Sequence, residues 1–306
     1  MESYVTPSRL AASPAFAPIM PTAAKSEIPS VDDILDCQSF KLRSTPMLLR
    51  DKVAIVTGGG RGIGRAIAHR FAAEGATVLV AARTSKEVNA VAAEIQSAGQ
   101  KAAAISADVS RESGCQRIVE EARKRFGQID ILVNNAGLLG PVKAIEEISP
   151  VEWDEVLAVN LRGPFLLSRL VLPEMYTRSS GSIINISSVS AKAAFQWNSP
   201  YAASKAGLLG FTRTLAAESA RKGVRVNAIC PGPVPETEMS QTLGKGLAER
   251  LQTDPEKLFQ GFLAGILQGR PQTADEVAAA ALFLASSEAS AITGQAMNVD
   301  GGMSFY

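Results

Sequence analysis

The chain has 306 residues, 46% of them apolar, and 31 Lys and Arg against 30 Asp and Glu. That is enough apolar material for one large α/β domain with a leading segment. The balanced charge gives no support for binding nucleic acid or an anionic membrane surface. No apolar run reaches the ~18 residues of a membrane span, and the three scattered cysteines (Cys37, Cys115 and Cys230) form neither a disulfide framework nor a metal-ligand set.

Residues 1–49 hold six of the 16 prolines and none of the 25 glycines. Without apolar periodicity, they read as a disordered or loosely docked N-terminal tail, with a short docking turn conceivable over 31–42. Their acidic residues make a poor organelle-targeting peptide. A functional start near Met47 is an alternative. From residue 52 the pattern turns regular. Strands are expected over 53–57, 77–82, 101–106, 129–134, 182–187, 224–229 and 295–299. Helices are expected over 62–74, 85–98, 110–126, 150–176, 201–221 and 273–286. Near-continuous apolar strands such as VAIV suit a sheet covered on both faces. The alternation predicts an α/β doubly wound parallel sheet, a Rossmann fold in a single domain 50–306 with helices on both faces.

The first strand runs into TGGGRGIG, with Gly58, Gly62 and Gly64 spaced for a tight turn that opens a helix. Glycine allows close backbone approach to a pyrophosphate, and the helix N-terminus offers free N–H groups to it. Strand, glycine turn and helix in succession are the context a dinucleotide site requires, with Ile63 inside the turn. The second strand ends VLVAARTS, without the carboxylate that would grip an unphosphorylated ribose. Arg83 follows, Arg61 is a second cation and Thr84 a hydroxyl donor. NADP(H) is therefore favoured, with NAD(H) possible; the bland alternative is that Arg83 is only a solvated residue at a helix start. Asp108 either meets the adenine amino group or serves the next helix start.

His69 is the only histidine, which removes most Ser-His-Asp, Cys-His and His-metal chemistry. It reads as a helix-surface or packing residue, and no metal is expected. Acid-base work must come from another residue type. YAASK places Tyr201 and Lys205 at i and i+4, neighbours on a helix. A nearby ammonium favours the phenolate and would bring the tyrosine towards working range. Ser188 ends IINISS and could donate to a substrate oxygen, with Ser187 competing for the role. Asn160, polar within an apolar helical stretch, would distort that helix and hold a water, or else is a buried amide satisfied by backbone.

In order, TGGGRGIG, NNAG at 134–137, Asn160, Ser188, YAASK and PGPV at 231–234 resemble the short-chain dehydrogenase/reductase family over about residues 50–306. The resemblance implies a catalytic set of Asn160, Ser188, Tyr201 and Lys205, with Lys205 also holding the nicotinamide ribose; its spacing selects Ser188 over Ser187. It places Asp108 and Val109 by the adenine, and Asn134, Ala136 and Gly137 along the cofactor channel. Pro231, Gly232, Val234 and Thr237 would approach the nicotinamide. One extra residue stands between Val234 and Thr237 relative to the family pattern, and the tail has no counterpart.

Members of the family are usually cytoplasmic homo-oligomers, tetramers or dimers, that pair through C-terminal strands and two long helices. The substrate would be a small-molecule carbonyl or alcohol. The substrate loop, about 235–272, is amphipathic. It reads as a lid, or equally as a face packed on its own domain or on a neighbouring subunit. The motif set is similar to 3-oxoacyl-acyl-carrier-protein reductases. Sugar, polyol or steroid dehydrogenases are an alternative, and a non-catalytic dinucleotide sensor or scaffold a second.

Overall fold

The computed structural model describes residues 47–306. The expected tail lies outside the described residues up to position 46. Residues 47–49 are described, and they are anchored. Leu49 is buried, and its N–H donates to the Glu74 carbonyl at 2.9 Å.

Seven strands form one sheet: β1 (Val53–Thr57), β2 (Thr77–Ala82), β3 (Ala102–Ser106), β4 (Ile131–Asn134), β5 (Gly181–Ile186), β6 (Val224–Pro231) and β7 (Ala296–Val299). Every pairing is parallel, and the order is β3-β2-β1-β4-β5-β6-β7. The order reverses between β1 and β4, and a crevice opens there at the carboxyl ends of the strands, where doubly wound sheets bind ligands.

The helices between the strands are α1 (Gly62–Ala73), α2 (Ser85–Ser97), α3 (Glu112–Phe126), α4 (Pro150–Leu157), α5 (Gly163–Thr177) and α6 (Ser199–Ser219). They continue with α7 (Glu238–Leu251), α8 (Pro255–Ala264) and α9 (Ala274–Ala285). Successive residues of a strand face opposite sides. Ala54 and Val56 of β1 therefore join one core with Ile67 and Phe71 of α1 and Val277 of α9. Ile55 joins the other, with Ile118 of α3 and Leu167 and Met175 of α5. Both faces are dry, so all five residues of β1 are buried. Each fully buried Val or Ile there contributes about 1.5–3 kcal/mol relative to exposure.

Two departures from the sequence pattern bear on function. The long helix expected over 150–176 is interrupted: Ala158–Arg162 forms a wider π turn around Asn160. The whole stretch Pro150–Thr177 is apolar enough to cross a membrane by composition, but half of its most apolar window is buried in the domain, as in a core helix. The amphipathic segment after β6 folds as two helices, α7 and α8. Its apolar stripe divides: Leu247 and Ile266 are buried against the domain, whereas Leu251 and Leu267 stand exposed.

Candidate active site

A cleft of about 450 Å³ runs across the carboxyl ends of the strands, from the glycine turn after β1 to the first turn of α7. Its outer half is built on backbone. Gly58 and Gly62 have φ of +61° and +52°, a region costly for any side chain. A Cβ on Gly64 would lie 2.3 Å from the Gly58 carbonyl oxygen and 2.4 Å from Asn135 Nδ2, so α1 can begin hard against the turn only with glycine there. No side chain caps α1, which leaves its first N–H groups and positive dipole end free for an anion.

Asn135 holds this turn. Its Nδ2 donates to the Thr57 carbonyl at 2.8 Å and the Gly58 carbonyl at 3.2 Å. Thr57 Oγ1 accepts the Asn135 and Ala136 N–H groups and donates to the Val133 carbonyl. Neither residue is among those expected from sequence, although NNAG puts Asn135 directly beside Asn134. Asn134 itself does not line the cleft. It is buried behind the wall, where Nδ2 donates to Asn185 Oδ1 at 2.8 Å.

Arg61, Ile63, Arg83, Thr84, Asp108, Val109, Ala136 and Gly137 all line the cleft, as do the turn glycines. Asp108 faces the cleft, and its carboxylate accepts the Ser110 N–H and hydroxyl at 3.0 and 2.8 Å in the turn before α3. Burial works to raise its pKa, but the Ser110 bonds, with Arg83 and Arg111, outweigh that and hold the carboxyl below its ordinary range. An uncapped helix end, two arginines and no carboxylate at the end of β2 make a donor set that fits an anionic dinucleotide carrying an extra phosphate.

Ser188, Tyr201, Lys205, Pro231, Gly232, Val234 and Thr237 also line the cleft, Thr237 beside Gly62 of the glycine turn. β5 ends at Ile186, and α6 brings Tyr201 and Lys205 alongside it. Lys205 Nζ donates to the Ile186 carbonyl at 2.7 Å and lies 5.6 Å from the centre of the Tyr201 ring. The two serines separate by role. Ser187 Oγ donates to the Lys205 carbonyl at 2.9 Å and so ties β5 to α6. Ser188 Oγ accepts the Ser190 N–H at 3.1 Å, and its hydroxyl acts on the Tyr201 phenol.

Asn160 lies just behind this group, fully buried in its π turn. Its Oδ1 accepts the Leu138 N–H at 2.7 Å. Its Nδ2 donates to the Leu138 carbonyl and to Ser204 Oγ, both at 2.9 Å. Ser204, also missed from sequence, passes the link on by donating to the Tyr201 carbonyl at 2.7 Å. A Cβ on Gly137 would lie at ordinary contact distance, 3.6 Å, from both Asn160 Oδ1 and Lys205 Nζ, so the two groups approach the same point of the chain.

Electrostatics here differ from the sequence expectation. Burial pushes the Tyr201 phenol above its ordinary value, and the Ser188 hydroxyl opposes without cancelling it. Burial also lowers Lys205 from 10.5 to about 8. An ammonium that is itself desolvated and 5.6 Å from the ring centre cannot offset the burial of the phenol. His69 is remote in role: it pairs with Glu94 on the surface at 2.9 Å. No cluster of His, Cys, Asp and Glu suited to a metal occurs among the described residues.

The family described as short chain dehydrogenase matches residues 52–248. A monensin polyketide synthase putative ketoacyl reductase from Streptomyces virginiae is 41% identical over 254 residues, which cover 82% of this chain and 97% of that protein. A 3-oxoacyl-acyl-carrier-protein reductase from Thermotoga maritima is 37% identical over 257 residues, covering 84% and 99%. Among solved structures, a variant actinorhodin polyketide ketoreductase with NADPH superposes with a TM-score of 0.80 at 37% identity, covering 83% of this chain and 98% of that one.

Proposed function

Since the chain belongs to the short-chain dehydrogenase/reductase family and is an oxidoreductase of that type, we propose that it reduces a 3-oxoacyl-type ketone to a secondary alcohol with NADPH. The observation that carries the reading is continuity. One cleft joins an anion-binding glycine turn flanked by two arginines to a buried Ser188, Tyr201 and Lys205 group. A ketoacyl reductase and an NADPH-bound ketoreductase among the similar proteins support the same substrate class and cofactor.

In this reading the turn from Gly58 to Gly64 and the start of α1 hold the pyrophosphate, and Arg61, Arg83 and Thr84 the 2′-phosphate. Asp108 and Val109 lie by the adenine, and Ala136 and Gly137 along the channel. Lys205 takes the ribose by the nicotinamide, which Pro231, Gly232, Val234 and Thr237 flank; Asn134 acts from behind the wall. NADPH supplies the hydride that reaches the carbonyl carbon. Tyr201 supplies the proton to the carbonyl oxygen, and its raised pKa keeps the phenol protonated and ready to donate at neutral pH. Ser188 donates to the same oxygen and fixes its direction. Lys205, near 8, is mostly charged at neutral pH yet close enough to titration to return a proton to the tyrosine. Asn160 positions this group.

Phe195 and Phe262 stand with ring centres 6.4 Å apart, tilted by 41°, where α8 meets the domain; they are not among the residues lining the cleft and form an apolar pair suited to an acyl chain that extends beyond it. The test is NADPH and NADH oxidation over a panel of 3-oxoacyl thioesters, sugars and steroid ketones, with Tyr201→Phe alongside. The expected result is turnover of 3-oxoacyl thioesters with NADPH, reduced about 10²–10⁴-fold in the variant while NADPH binding persists. Equal rates in both proteins would sink the role of Tyr201. On the same reading the protein acts in the cytoplasm as a homo-oligomer.

A further inference from the structure

At the glycine turn, the rim of the cleft carries a cation flanked by two carboxylates. Arg61, in the glycine turn, ion-pairs with Glu238 and stands 3.8 Å from Glu87 Oε1. All three residues line the cleft. Glu87 sits in the first turn of α2, directly after the end of β2, and Glu238 is the first residue of the lid helix α7. The lid meets the turn at a second point as well, since a Cβ on Gly62 would lie 3.1 Å from Thr237 Cγ2. Arg61 is thus paired from the α7 side through Nη1, while its side chain and that of Glu238 stay exposed.

We propose that Glu238 competes with the 2′-phosphate of the dinucleotide for Arg61, and so sets how strongly the site prefers a phosphorylated over an unphosphorylated cofactor. This rests on the NADPH reading above. A guanidinium pairs with a phosphate through two parallel bonds, but its donors at one face cannot serve a carboxylate and a phosphate alike. Glu238 and Glu87 also repel a phosphate dianion brought to Arg61. An unphosphorylated ribose carries no charge at that position and does not compete. The carboxylates therefore act against one cofactor and leave the other alone, and the lid contributes a residue to cofactor choice as well as to the substrate wall.

The test measures binding of fragments that lack nicotinamide, by calorimetric titration of the full chain with 2′,5′-ADP and with 5′-AMP. Wild type, Glu238→Gln and Glu87→Gln are compared, with unchanged melting temperatures as the control for folding. Glu238→Gln should bind 2′,5′-ADP about three- to fivefold tighter, the scale of an exposed ion pair, with 5′-AMP unchanged. Glu87→Gln, at a longer distance, should move the same way by less. Unaltered 2′,5′-ADP affinity in Glu238→Gln, or an equal shift for both fragments, overturns the competition. If neither wild type nor Glu238→Gln binds 2′,5′-ADP tighter than 5′-AMP, the NADPH reading itself falls and the competition falls with it.

Discussion

Lys205→Met removes a buried ammonium while keeping most of the bulk of its stem. Burial holds Lys205 near 8 in the folded chain against 10.5 when exposed. Between those values the unfolded chain binds more protons than the folded one, so the stability of the wild type rises with pH across that window. Below it the fold carries the whole cost of the charge, about 3 kcal/mol. Methionine carries none of it, but it leaves the Ile186 carbonyl without its 2.7 Å donor. That loss costs about 1–3 kcal/mol and does not depend on pH. The two effects nearly cancel near neutrality, so a single measurement there decides nothing. The slope decides: from about pH 7 to pH 10 the wild type should gain about 2–3 kcal/mol on the variant. Urea unfolding of both proteins without cofactor, at several pH values, reads this directly. A difference that stays flat with pH, or that grows in favour of the variant, would refute the placement of a depressed, buried Lys205.

Ser204→Ala should lower kcat about tenfold with little change in KM, because the hydroxyl bridges Asn160 to the Tyr201 carbonyl and touches no substrate. Ser204→Thr, which keeps the hydroxyl, should recover much of the rate; equal loss in both variants would mark a packing role only. For the oligomer, Val151 and Phe165 on the long helical stretch and Phe305 and Tyr306 at the C-terminus are exposed in the isolated chain. Sedimentation at micromolar concentration should give a tetramer or dimer, and a monomer would remove that proposal.

Much of the architecture was legible because it is written locally. Strands such as β1 are apolar at every position, since both faces of the sheet are covered, and the helices between them keep a polar side. Gly58, Gly62 and Gly64 announce a turn that no other residue makes cheaply, and YAASK sets Tyr201 beside Lys205 by helix geometry alone. The division between Ser187 and Ser188 was open on residues alone and turned on family spacing; the structure adds that Ser187 is spent on the Lys205 carbonyl.

What stayed hidden depends on partners distant in sequence. Asn134 and Asn160 belong to motifs, yet whether each faces the cleft or stands behind it is set by Asn185, Leu138 and Ser204, up to 51 residues away. Within the π turn, the bonds to Leu138 and Ser204 hold the Asn160 amide in place. The acid-base pair shows the limit most clearly. The sequence determined that Tyr201 and Lys205 are neighbours, and a neighbouring ammonium argues for a lowered phenol. Only the tertiary structure decided that both groups are buried, where α6 packs against β5 and the end of β6. Desolvation then disfavours both charged forms, raising the tyrosine and lowering the lysine. Spacing along a helix is a local property, whereas the dielectric around a side chain is made by every element packed against it.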